Sequence, residues 1–256
     1  GFKAQKVGKI DSRDVFYLVA PLNNQIEAFR EEGISAPYVV LPEDVVDIRL
    51  AGVSNSGTRT SLTPLAVKGE NTILYKGSPW MSSPEMAMIA VQAHINGEFP
   101  QLPRSFYEAV KELARMQEGM EPEDRTAIIL SQKGDFQLTH EMPETRFALG
   151  RRAKEYFEAN KHQSIKFFDL NSDSKDATDV NYSWFNDLQD GSVLDARDRG
   201  LSSHDGAFGV RRNAVGIAKN LGYTLSQIGD ASSQVIPAVL DEMRLSPLAE
   251  IIARPF

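Results

Sequence analysis

The first third of the chain alternates short apolar runs with turn-forming residues, a pattern that predicts strands. Residues 14–20 form an apolar run, rich in β-branched and aromatic residues and stopped by Pro21, which predicts a buried strand. At 46–50, Val, Ile and Leu alternate with Asp and Arg, which predicts a half-buried strand. Further strands are expected at 38–41 and, as a hairpin, at 65–68 and 72–76.

Helix start and stop residues mark other segments. Asn23 or Asn24 can cap a helix that runs through Glu32 and is stopped by Gly33. The apolar periodicity predicts helices at 84–96, 104–117 and 145–160, a short helix carrying Trp184 and Phe185, and C-terminal helices at 210–221, 232–244 and 247–253.

Strands outside these helices occur as hairpins and single runs. A second hairpin is expected at 126–131 and 136–140, and a strand at 165–168. Since strands and helices do not alternate steadily, we expect an α+β fold with antiparallel hairpins, several helices and a helical C-terminus. The polar stretch 118–124 is the best candidate linker between regions 1–118 and 125–256, which can equally form one single domain.

The composition excludes several classes of protein. The 256 residues are 41% hydrophobic and 25% charged, enough apolar content for a sizeable core. A net charge of −7 disfavours a broad grip on nucleic acid or anionic lipid, although a small basic surface stays compatible with it. Cysteine is absent, which removes disulfides, thiolate metal sites and cysteine nucleophiles. With no apolar run near 18 residues and no apolar leader, we expect a soluble cytoplasmic protein without a membrane segment.

Residues 169–205 contain nine aspartates and no glutamate. Short, stiff Asp side chains close turns and hold hard cations, so this segment is metal-holding, anion-organising or simply rich in turns. Asp169 and Asp173 fit the start of an EF-hand loop, but Ser174 and Val180 replace the glycine and glutamate that the loop needs later. A less regular Mg²⁺ or Ca²⁺ site with Asp169 and Asp173 as ligands stays open, beside a solvated Asx-turn loop.

Residues 200–213 form a second candidate site, rich in Gly and Ser, before or at the start of a predicted helix. Free backbone N–H groups at a helix start, with arginines beside them, suit a phosphate or carboxylate. His204 and Asp205 are the candidates for proton transfer, and the candidates for substrate binding are Ser203, Arg211 and Arg212. The alternative is a flexible loop whose arginines pair with the aspartates upstream.

Two further motifs are incomplete. Segment 51–60 has the glycine spacing of a phosphate-binding P-loop, but Thr58 and Arg59 stand where Lys and Ser or Thr belong, so a turn is expected. Segment 214–231 resembles a helix-turn-helix at Ala218 and Gly222, yet its second half carries no Lys or Arg. An ordinary helical hairpin is the alternative there.

Two functional hypotheses follow from these residues. The first is an enzyme that acts on a phosphorylated or otherwise anionic small ligand, with a divalent cation (Mg²⁺ or Ca²⁺) in the segment 169–205. The second is a non-enzymatic binding or assembly protein, which contacts a partner, or DNA through 214–231. The sequence leaves both open, together with the oligomeric state.

Overall fold

The computed structural model describes residues 1–34, 40–67, 72–75, 111–112, 114–125, 127–130, 135–168, 180–195 and 205–210. Within these residues the helices include α1 (Leu22–Glu31), α2 (Pro42–Leu50), α3 (Pro143–Leu149) and α4 (Ala153–Ala159), with a 3-10 turn at Pro122–Asp124. The strands are β1 (Gln5–Ile10), β2 (Arg13–Ala20), β3 (Thr60–Val67), β4 (Thr72–Tyr75), β5 (Ala127–Leu130), β6 (Phe136–Leu138), β7 (Ile165–Phe168), β8 (Val180–Phe185), β9 (Leu194–Asp195) and β10 (Asp205–Val210).

These ten strands join in one mostly antiparallel sheet of order β1-β2-β10-β3-β8-β9-β7-β6. Strand β4 lies against β3 on the side that β10 also occupies, and β5 adds to β4. Two neighbouring pairs are parallel, β10 with β3 and β9 with β7. The mixture of a large sheet with a few helices agrees with the expected α+β class. The predicted C-terminal helices fall outside the described residues, except for Val210.

Helices cover both faces of the sheet. The first face, which carries Val15, Phe185 and Phe208, packs with α2, α3 and α4 in the main hydrophobic core. Since side chains alternate along a strand, Ala207 and Gly209 lie on the second face, where Gly209 meets Phe29 of α1. Among the described residues, no helix is both long and apolar enough to cross a membrane.

Several elements agree with the sequence pattern. The buried run 14–20 lies in β2, residues 165–168 form β7, and the hairpin around residue 70 pairs Ala66 with Leu74 and Val67 with Ile73. Helix α1 spans Leu22–Glu31, close to its expected bounds. These segments have strong local patterns, in which a turn or cap coincides with the end of an apolar run.

The strand predicted at 46–50 is wrong, because these residues belong to α2. Pro42 occupies the first turn, and the Asp44 carboxylate accepts the backbone N–H of Leu41 at 2.9 Å. Val45, Val46 and Ile48 are all fully buried, on the face of the helix that packs into the main core. Arg49, one of the two polar residues in this apparent alternation, is also buried in the core.

Other segments also differ from the prediction. Strands β5 and β6 form, but β5 pairs with β4 and β6 with β7 instead of making a hairpin together. Trp184 and Phe185 lie in β8 rather than in a helix, because their opposite-facing aromatic rings fill the two faces of the sheet. The helix predicted at 145–160 is divided into α3 and α4 at Gly150, whose φ of 79° is outside helical geometry.

Close packing at Gly209 gives a test of the second face. A Cβ at this position would lie 2.6 Å from Phe29 Cδ1 and 2.9 Å from Ile34 Cδ1, well inside van der Waals contact. We expect Gly209→Ala to lower the free energy of unfolding by about 1–3 kcal/mol, measured by urea denaturation. Gly119→Ala is the control, since its added methyl group meets no atom within 4 Å. Equal effects of the two substitutions would contradict the packing of α1 on β10.

Candidate functional site

Most of the residues selected from the sequence lie outside the described part of the chain: Asp169, Asp173, Ser203, His204, Arg211 and Arg212. Asp205 is described as the first residue of β10, through its backbone. Residues 205–210 are therefore a strand, paired with β2 from Asp205↔Ala20 to Val210↔Val15, and not the loop or helix start expected there. The roles proposed for all seven residues stay predictions.

Two neighbouring parallel strands, β7 and β9, have their carboxyl ends side by side. The last residue of β7, Phe168, is directly opposite Asp195, the last residue of β9. Asp169 follows Phe168 in the sequence. The backbone of Phe168, from which the chain continues to Asp169, is therefore about one strand spacing, roughly 4.8 Å, from the backbone of Asp195.

Asp205 starts its strand far from this pair. β10 runs in the same direction as β9 and β7, but β3, β8 and β9 separate β10 from β7. Four strand spacings amount to about 19 Å. The register Ala207↔Ser61, continued two residues back, places Asp205 level with Arg59 at the start of the neighbouring parallel strand β3.

The described aspartates inside 169–205 include a turn former. Asp187 accepts the backbone N–H of Asp190 through Oδ1 at 2.7 Å and that of Ser192 through its carbonyl at 3.0 Å. This turn ends at Gly191 and Ser192, both with positive φ. Among the described residues, no group of three or more His, Asp or Glu side chains is arranged to hold a metal.

The most complete polar network in the described structure surrounds Arg49 of α2. Its side chain is buried and its guanidinium carbon lies 4.4 Å from the centre of the Phe185 ring. All five guanidinium N–H groups have an acceptor. Nε donates to the Ser56 carbonyl, Nη2 to the carbonyls of Thr58 and Asn186, and Nη1 to the hydroxyls of Tyr156 and Ser192.

A chain of hydroxyl contacts continues from Arg49 to a half-buried histidine. Tyr156 Oη lies 2.7 Å from Ser192 Oγ, which lies 2.9 Å from His162 Nε2. Both hydroxyls accept from Arg49, and the arrangement that gives each hydroxyl proton an acceptor has Tyr156 donating to Ser192 and Ser192 donating to His162. His162 then accepts as a neutral ring. Burial, followed by the positive charge of Arg49, lowers the pKa of His162 in the same sense.

The hydrogen bonds of this network hold its side chains in fixed positions. Ser192 is fully buried, so its hydroxyl has no access to a substrate although it contacts a histidine. Its φ of 57° is a strained conformation that the three side-chain contacts hold in place. The segment 51–58, expected to be a turn, is indeed one, with Gly52 and Asn55 at positive φ, and its carbonyls wrap around Arg49. No local sequence signal pointed to Arg49, because the apparent strand alternation placed it on a polar face.

A second arginine has a different environment. The Arg59 guanidinium carbon lies 4.6 Å from the centre of the Trp184 ring, and Trp184 is fully buried. Arg59 is half-buried, and its Nε is shielded from solvent and has no hydrogen-bond partner among the described residues. Beside it, Ser61 donates to the Gly206 carbonyl at 2.9 Å, which fastens β10 to β3.

Comparison of the chain with protein-family models, curated proteins and solved structures finds no match. Function is therefore inferred from this chain's own residues.

The Arg49 network predicts a large loss of stability from a conservative change. In Arg49→Lys, an ammonium group with three donors cannot serve five acceptors spread over three segments. We expect the free energy of unfolding to fall by about 2–4 kcal/mol in urea denaturation. The exposed Arg115→Lys change is the matched control and should have little effect. A decrease in the free energy of unfolding no larger than that of Arg115→Lys would contradict the central role of Arg49.

The lowered pKa of His162 predicts a pH-dependent stability. The unfolded chain binds a proton at His162 near pH 6.5, whereas the folded chain binds it only at lower pH. The stability that neutral His162 contributes is present above about pH 6.5 and is lost as pH falls through the folded pKa. Denaturation between pH 8 and pH 5 should show a smaller loss for His162→Gln, which keeps an acceptor for Ser192, than for wild type. His140→Gln should behave as wild type, and the same loss in all three proteins would refute the assignment.

Proposed function

We propose that this protein is an enzyme acting on a phosphorylated or otherwise anionic small ligand, with a divalent cation held by Asp169 and Asp195. The observation that carries the proposal is the register of β7 and β9, whose carboxyl ends meet with Phe168 opposite Asp195. In open α/β sheets, ligands bind beyond the carboxyl ends of parallel strands, and β7 and β9 form one such parallel pair within this mostly antiparallel sheet. Two carboxylates attached there supply the oxygen ligands that Mg²⁺ and Ca²⁺ prefer.

The remaining candidates take their roles from their chemistry. Asp173 is in the eleven-residue connection 169–179, between β7 and β8, and is proposed as a further cation ligand. His204 and Asp205 are proposed for proton transfer, and Ser203, Arg211 and Arg212 for holding the anion. A bound divalent cation would neutralise and polarise the substrate's phosphoryl or carboxyl oxygens.

The distance between the two groups of residues constrains this proposal. The start of β10 and the end of β7 are about 19 Å apart along the sheet. Asp173 is five residues after Phe168, a reach of at most about 18 Å at 3.3–3.6 Å per residue, which is short of that separation. The proposed cation ligands and the proposed proton-transfer residues are therefore separated along the sheet. A cytoplasmic setting stays part of the proposal, and the lack of cysteine is compatible with it.

One observation favours the second function, a non-enzymatic binding or assembly protein. Asp187 uses its carboxylate to close a turn, so at least part of the aspartate-rich segment serves loop geometry. Assembly by edge pairing is disfavoured at β1, where Lys6 and Lys9 pair with Asp14 and a bulge interrupts the register. The DNA-binding alternative rests on 214–231, which is outside the described residues.

Thermal unfolding with divalent cations tests the proposed metal site. Mg²⁺, Ca²⁺ or Mn²⁺ should raise the melting temperature of the wild type, because a ligand that binds only the folded state stabilises it. The rise should disappear in an Asp169→Asn, Asp195→Asn double variant and shrink in Asp173→Asn. Asp190→Asn, an exposed residue of the same segment with the same charge change, should keep the rise. An absent rise in wild type, or an undiminished one in the double variant, rules the site out and leaves the binding or assembly function.

A further inference from the structure

Strand β8 places two adjacent aromatic rings on opposite faces of the sheet, and an arginine stacks on each. Arg49 lies 4.4 Å from the Phe185 ring centre on the first face, and Arg59 lies 4.6 Å from the Trp184 ring centre on the second. Both rings are fully buried. The two arginines thus share one kind of contact, which makes Arg49 an internal reference for Arg59.

The two guanidinium groups differ in their other contacts. Arg49 donates all five of its N–H groups to carbonyl and hydroxyl oxygens. For Arg59, the contact found within the described residues is the Trp184 ring, and its shielded Nε has no acceptor there. The negative face of an indole compensates a cation only in part, so a desolvated donor of this kind is unfavourable without an oxygen partner.

We propose that Arg59, stacked on Trp184, is the binding site for a small oxyanion, a phosphate or a carboxylate. A guanidinium offers its Nε and Nη groups as a planar fork that matches two oxygens of one oxyanion. Stacking on a buried ring fixes the plane of that fork before the ligand arrives, which reduces the entropy lost on binding. Arg59 as a whole is half-buried, so part of its side chain is accessible from solvent although Nε is shielded.

The position of Arg59 connects this site with the proposed catalytic pair. Arg59 is immediately before β3, level with Asp205 at the start of β10 in the parallel register. Thr60 and Ser61 direct their hydroxyls to the Gly206 carbonyl and hold the two strands together at this point. The inference rests on the proposed function and adds Arg59 to the groups proposed to hold the anion, but it requires no metal, so each can fail without the other.

The experiment measures oxyanion binding in EDTA at constant ionic strength. The chain has two tryptophans, so a Trp80→Phe background leaves Trp184 as the fluorescence reporter, with calorimetry as a second readout. Inorganic phosphate and acetate are titrated separately to distinguish phosphate from carboxylate, with chloride as the reference salt. We expect saturable binding of at least one oxyanion, weakened about tenfold or more in Arg59→Gln and to a smaller degree in Arg59→Lys.

Arg115→Gln, an exposed residue with the same charge change, is the matched control and should bind as the background protein does. Melting temperatures are measured for all variants to check that each one is folded under the conditions of the binding experiment. Binding that persists in Arg59→Gln overturns the proposal, as does the absence of binding to the background protein. Binding that appears only in Asp205→Asn would also overturn it, because Asp205 would then be the native partner of Arg59. Retained phosphate binding without a cation-induced rise in melting temperature would remove the metal site and keep this one.

Discussion

The described structure depends most on the constraint that a buried guanidinium must find five acceptors. Arg49 meets this requirement with oxygens from three stretches of chain: the turn after α2, helix α4 and the segment 186–192. A buried cation without these partners would be strongly unfavourable, so the cost of leaving it unpaired keeps the three stretches in one arrangement. The left-handed turn at Ser192 and the neutral state of His162 follow from the same network.

Strand β8 connects this constraint with the proposed function. Phe185 lies against Arg49 on the face where the helices pack, whereas Trp184 lies against Arg59 on the opposite face. The same strand therefore contacts two arginines. Arg49 has oxygen acceptors for all its N–H groups, whereas the partner of Arg59 within the described residues is the Trp184 ring. The first arrangement serves stability. The second is the arrangement on which the proposed oxyanion site rests, since the ring fixes the orientation of the Arg59 guanidinium.

The candidate site could be located from the sequence only in part. The change from mixed acids to aspartate alone marked 169–205, and Asp169, Asp173 and Asp205 were selected within it, but no signal assigned a role to Asp187 or Asp195. The structure separates them: Asp187 closes a turn, whereas Asp195 ends a strand opposite Phe168 and so lies beside the point where the chain continues to Asp169. That distinction depends on the parallel pairing of β7 with β9, which joins residues about 27 positions apart and has no local signature.

Elements whose hydrogen bonds and apolar pattern are local could be predicted from the sequence: β2, β7, the β3–β4 hairpin, α1 and the turn after Gly52. Contacts between distant segments make 46–50 helical, pair β5 with β4 rather than β6, and bury Arg49. The physical reason is common to all three. Burial and oxygen partners supplied by distant segments outweigh a weak local alternation, and a sequence pattern cannot show which distant groups will arrive.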